Sequence, residues 1–93
     1  MTGERETYPP LPIVKEVCKE LGWTYDDLAR EAQKHTGTAT PGPNYIAQCV
    51  SGSRRFGPDT AAAIETATGG RLKKEWLVWP DQAPEDLGQA ANA

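Results

Sequence analysis

Histidine, phenylalanine and methionine each occur once in these 93 residues, and cysteine only twice, so the chemistry open to the chain is narrow. A nucleophile needs a base, and His35 sits in a Gly- and Thr-rich stretch where an exposed polar role is ordinary. Asp26 and Asp27 are adjacent at a helix start, an arrangement for capping rather than a facing acid–base pair. Cys18, His35 and Cys49 stand 17 and 14 residues apart, which matches no compact zinc site and leaves a fourth ligand missing. Both thiols fall on apolar stripes, where cysteine behaves as a small hydrophobe, and no disulfide framework is present. Neither catalysis, a metal, a cofactor nor a small-molecule substrate is expected.

Long hydrophobic runs are also missing. The longest, residues 61–64 and 76–79, reach four residues, far below the ~20 that cross a bilayer. The start, Met1-Thr2-Gly3-Glu4-Arg5-Glu6, has neither a basic leader nor an apolar stretch, so no secretory signal is read and a cytoplasmic location is expected. A mean hydropathy of -0.63 with 38% hydrophobic residues fits one water-soluble domain with a modest core.

Positive charge is scarce, and a net charge of -3 argues at first against a polyanionic partner. Its placement reverses that reading. Glu4, Glu6, Asp81, Glu85 and Asp86 fall in segments that read as flexible tails, 1–10 and 81–93, leaving a domain over 11–80. Residues 12–80 carry +1, and residues 28–58 set Arg30, Lys34, Arg54 and Arg55 against Glu31 alone, for +3.

Between the tails, apolar residues recur at three and four and Gly or Pro punctuates them, which predicts an all-α bundle of four to five short helices. A first helix over 12–21 places Leu11, Val14, Cys18 and Leu21 on one stripe, ended by Gly22. A second opens with Thr24 as its cap and turns Tyr25, Leu28, Ala29 and Ala32 inward. Residues 36–42, rich in Gly, Thr and Pro, favour a turn. A third helix begins at Pro43, carries Ile46, Cys49 and Val50 inward and ends at Ser51-Gly52. A fourth runs from Pro58 to Thr68 before Gly69-Gly70. A final turn from about Lys73 brings Leu72 and Trp76 onto the bundle, while a Trp79 left outside would join an exposed apolar patch of the kind that marks dimer interfaces.

Two helices joined by a turn, the second short and followed by a basic loop, can place a helix in the major groove of DNA. Base edges are read by side chains that offer a donor and an acceptor together. Asn44 and Gln48 stand four apart on the side opposite Ile46, Cys49 and Val50, with Tyr45, Ala47 and Ser51 nearby, and Arg54 and Arg55 follow at the helix end. The amides suit reading, and the arginines suit phosphate.

The segment 46–55, Ile-Ala-Gln-Cys-Val-Ser-Gly-Ser-Arg-Arg, resembles the recognition helix and following Ser-Gly-x-Arg loop of the Cro/CI-type, lambda-repressor-like helix-turn-helix family. Ile64-Glu65, Ala67-Thr68-Gly69-Gly70, Lys74-Glu75 and Trp79-Pro80 are closer to its YdaS-like, phage-associated branch. The resemblance implies a DNA-binding transcriptional regulator, a Cro-like repressor of phage or prophage origin acting on double-stranded DNA, and because one small domain makes few contacts a homodimer is expected there. It implies base contacts from Pro43, Asn44, Tyr45, Ala47 and Gln48, and phosphate contacts from Arg54 and Arg55, to which Ser51, Lys34 and Thr40 are added as candidates. One departure is an extended turn: the additional residues between Ala32 and Ile46 either lengthen the second helix through His35 or form a loop. The rival reading, favoured by overall acidity, is a protein-interaction module, such as an antitoxin or phage adaptor, on the same scaffold.

Overall fold

The computed structural model describes residues 8–84; the outer parts of both expected tails lie outside them. Among the described residues all regular structure is helical: α1 (Pro12–Leu21), α2 (Tyr25–Thr36), α3 (Pro43–Ser51), α4 (Pro58–Ala67) and α5 (Lys74–Val78), followed by a single 3-10 turn at Pro80–Gln82. No described helix is long and apolar enough to cross a membrane.

Local chemistry sets these boundaries. α1, α3 and α4 each start with proline, whose fixed φ suits the first turn and whose missing amide would have had no helical partner. α2 starts with a reciprocal cap: the Asp27 amide donates to Thr24 Oγ1 at 3.2 Å, and the Thr24 amide donates to the Asp27 carboxylate at 2.9 Å. That backbone bond holds the Asp27 carboxyl below its ordinary pKa. α1, α2 and α3 end at glycines in the left-handed region.

The core gathers Leu11, Ile13, Val14, Val17 and Cys18 from the α1 region, Leu28, Ala29 and Ala32 from α2, Ile46 and Cys49 from α3, and Ala61, Ala63 and Ile64 from α4, with Phe56, Leu72 and Leu77. α2 packs against α4 and α3, α5 packs against α4, and α1 touches α3. Small alanine side chains on the buried sides of α2 and α4 let those helices approach closely. Each large apolar side chain buried here stabilises by about 1.5–3 kcal/mol before entropy is subtracted, against a typical net stability of about 5–15 kcal/mol. A single core truncation is therefore a serious loss.

Several expectations shift. The buried side of α1 is Ile13, Val14, Val17 and Cys18, while Leu21 is half-buried and packs against the edge of the core. Tyr25 and Val50 are likewise half-buried, at the edges of their helices' inward faces. In α5 Trp76 packs half-buried against the core as expected, Leu77 is fully buried beside it, and Trp79 is 51% exposed. Phe56 and Pro41, which no periodicity marks, lie fully inside. Thr68 is the buried polar residue, and its hydroxyl donates to the Ile64 carbonyl at 2.9 Å and accepts the Leu72 amide at 3.1 Å. The stretch between Ala32 and Ile46 does both things open to it: α2 continues through Thr36, and residues 37–42 form a loop.

Candidate nucleic-acid interface

α3 is two and a half turns long and turns its two sides to different solvents. Ile46 and Cys49 are buried, whereas Pro43, Asn44, Ala47, Gln48 and Ser51 are exposed. Among the described residues, neither the Asn44 nor the Gln48 side-chain amide is engaged in a hydrogen bond, so both retain their donors and acceptors for a ligand. Tyr45 sits on the shoulder between the two sides. Its ring is half-buried against Phe56, with centroids 5.8 Å apart, and its hydroxyl donates to the Arg55 carbonyl at 3.3 Å. Tyr45 thus supports the loop after α3 rather than standing free beside Asn44.

That loop is tightly wound. Gly52 adopts φ +96°, and the amides of Ser53 and Arg54 both donate to the Gln48 carbonyl, at 2.9 and 3.3 Å. The Ser51 hydroxyl donates to the same carbonyl at 3.0 Å, so this candidate phosphate ligand also caps its own helix. Arg54 and Arg55 are exposed, and among the described residues neither makes an ion pair. The Arg54 guanidinium lies 5.1 Å from the Tyr45 ring centroid, and that of Arg55 lies 5.6 Å from the Tyr8 ring centroid. Both stackings lie within cation–π range. Arg54, Arg55, Ser53, Tyr45 and Tyr8 border an open hollow of about 590 Å³. Beneath it, burial pushes the Cys49 thiol up to about 11, although Arg54 pulls the other way. Burial also raises the Tyr45 hydroxyl.

No family model matches the chain, and no curated protein or solved structure matches it.

Two sequence candidates fall elsewhere. Lys34 is drawn to Glu31 at 3.0 Å in an exposed ion pair on α2, which neutralises it locally. Thr40 is exposed, but its hydroxyl is 2.9 Å from that of Thr38 and its carbonyl accepts from Thr36 Oγ1 at 2.8 Å. It borders a separate trough of about 710 Å³ shared with His35 and Asp59, whose carboxylate disfavours phosphate there. The structure thus exposes Asn44, Ala47, Gln48 and Ser51 on one side of α3 and gathers Arg54 and Arg55 in the hollow just past its end, while Lys34 and Thr40 lie apart from both. Sequence reasoning misses Tyr8, which it assigns to a tail. Its amide donates to the Gly52 carbonyl at 2.9 Å, and the Leu11 amide donates to that of Val50 at 2.9 Å, so residues 8–11 lie along the end of α3. The sole available signal was an aromatic residue ahead of Pro9-Pro10.

Among the described residues no cluster of histidine, cysteine or acid is arranged to hold a metal ion. Cys18 and Cys49 are buried as free thiols on separate helices.

Proposed function

We propose that this protein is a sequence-specific double-stranded DNA-binding regulator, a Cro-like repressor of phage or prophage type, which lays α3 in the major groove. One observation carries the reading: Asn44 and Gln48 present unengaged amides on the side of α3 opposite its buried residues, with two unpaired arginines at the end of the same helix. A groove about 12 Å wide admits one helix, and a side-chain amide satisfies the N6 and N7 edge of adenine. The exposed Pro43 and Ala47 add small apolar contacts that do not hold the helix away from the base edges. Ser51, Arg54 and Arg55 face the flanking backbone. Net acidity does not oppose this reading, because Arg54 and Arg55 keep their charge without an ion pair among the described residues, whereas Arg30 and Lys34 are offset by Asp27 and Glu31 on α2.

One such domain makes few contacts, so the protein acts as a homodimer on half-sites about one helical turn, roughly 34 Å, apart. A gel-shift series across salt tests the reading. Three or four phosphate contacts give a log–log slope of about -3 to -4, and a flat line refutes it. Selection from a random duplex pool supplies the cognate site. On that site Gln48→Ala or Asn44→Ala weakens binding by about 1–3 kcal/mol with little change on unrelated duplex, whereas Arg55→Ala weakens both.

A second reading rests on Trp79, 51% exposed beside the half-buried Trp76 and Val78. An apolar surface of this kind suits a protein partner, as in an antitoxin or phage adaptor. A flat salt series together with a stable protein complex lost on Trp79→Ala selects it.

A further inference from the structure

The two arginines after α3 differ from ordinary surface cations in how they are held. Each guanidinium lies over a tyrosine ring, and the two tyrosines come from opposite ends of the sequence of this region: Tyr45 from α3, and Tyr8 from the segment that precedes α1. The Tyr8 backbone is held by the hydrogen bond that its N–H donates to the Gly52 carbonyl, and the hydrogen bond from the Leu11 N–H to the Val50 carbonyl keeps the same segment in line. Gly52 has φ +96°, and a Cβ at that position would run into the Tyr8 carbonyl oxygen. The approach of the two segments therefore requires glycine there. Tyr45 is fixed by Phe56 and by its bond to the Arg55 carbonyl. The hollow bordered by Tyr8, Tyr45, Ser53, Arg54 and Arg55 thus has both guanidiniums on supports built into the fold.

We infer that this hollow is a preorganised seat for one phosphodiester of the duplex backbone, with Tyr8 and Tyr45 as positioning residues for Arg55 and Arg54. The inference rests on the DNA-binding reading for its ligand and on the intramolecular geometry for the role of the tyrosines. Free arginine side chains lose rotamer freedom when they grip a phosphate, and a guanidinium already stacked on a ring loses less. Stacking one face leaves the edge N–H groups directed outward for two parallel bonds to phosphate oxygens. The segment before α1, outside the helix-turn-helix in sequence, is therefore part of the binding surface.

The experiment has two arms. In the protein alone, 15N relaxation at arginine Nε gives a higher order parameter for Arg55 than for the exposed Arg30, whose contact is an ion pair with Asp27 at 3.6 Å. That of Arg55 falls in Tyr8→Leu and is retained in Tyr8→Phe. Equal mobility of Arg55 and Arg30 in the unmodified protein overturns the inference, whatever DNA does. In the gel shift, Tyr8→Leu weakens cognate and unrelated duplex alike by about two- to fivefold, Tyr8→Phe binds as the unmodified protein does, and Tyr8→Leu adds nothing once Arg55→Ala is present. Full additivity of the two substitutions also overturns it. An ordered Arg55 in a protein whose duplex binding shows no salt dependence refutes the DNA-binding reading and the phosphodiester seat, while leaving the positioning role intact.

Discussion

The two loops that flank α3 are similar in length and in glycine content, yet they use their polar groups in opposite ways. The entering loop, residues 37–42, is held by side chains of the preceding helix and by its own threonines: Gln33 Nε2 of α2 donates to the carbonyls of Ala39 and Pro41 at 3.1 and 2.9 Å, and Thr36 of α2, Thr38 and Thr40 bond to one another. The exit loop, residues 52–57, has its backbone held by α3 and by the segment at Tyr8, which leaves its two long side chains outward. A loop whose carbonyls and hydroxyls are bonded to side chains has few polar groups left for a ligand. One whose backbone is held by neighbours can offer its side chains to a ligand.

The sharpest break in this comparison is glycine to alanine in each loop. Gly37 and Gly52 both have positive φ, +72° and +96°, but a Cβ at Gly37 meets open space, while one at Gly52 meets the Tyr8 carbonyl. Gly52→Ala should cost about 3 kcal/mol or more, the left-handed penalty plus displacement of residues 8–11, against about 1 kcal/mol for Gly37→Ala. Urea unfolding of both variants checks this, and equal costs would show that Tyr8 does not hold the exit loop.

Next comes Gln33→Ala, which removes the donor to two loop carbonyls beside the buried Pro41. A loss of about 1–3 kcal/mol is expected, with an unchanged salt slope in duplex binding, because the arginine hollow is untouched. Alkaline pH strikes the two buried thiols instead. Cys49 and Cys18 keep their protons in the folded protein to about 11, while an exposed thiol ionises near its ordinary value of 9.0. The unfolded state alone ionises between those values, so stability is intact below about pH 9 and falls as pH rises toward 11, by about 1 kcal/mol per thiol at pH 10. Denaturation midpoints at pH 8 and 10, with slow thiol labelling at pH 8, check the sign. Smallest is Thr38→Ala, whose hydroxyl bonds are all exposed; a change below about 0.5 kcal/mol is expected, and a larger one would mean that the threonine web is rigid rather than solvated.

Much of the scaffold was legible because its boundaries are made by local chemistry. Pro12, Pro43 and Pro58 mark first turns, Thr24 with Asp27 makes a cap, and Gly22 and Gly52 end helices. None of these needs a distant partner. The exposed amide side of α3 was legible for the same reason, since Asn44 and Gln48 alternate with Ile46 and Cys49 at helical spacing. What escaped were single residues in irregular chain. Phe56 and Pro41 are buried without any repeat to announce it, and Lys34 read as a spare cation until its ion pair with Glu31 was seen. Trp76 packs against the core as its sequence position suggests, but Leu77 beside it, which the sequence did not single out, is the fully buried side chain of α5.

The amino-acid order alone settled that this chain is helical and where most of its helices begin and end, because capping, proline and periodicity act over four residues or fewer. It also settled which side of α3 is polar. Only the tertiary structure decided that residues 8–11 run along the end of α3 and that Tyr8 lies against Arg55, forty-seven positions away. Contacts of that kind depend on how whole helices pack, and packing is fixed by the shape of the shared core rather than by any local run of sequence.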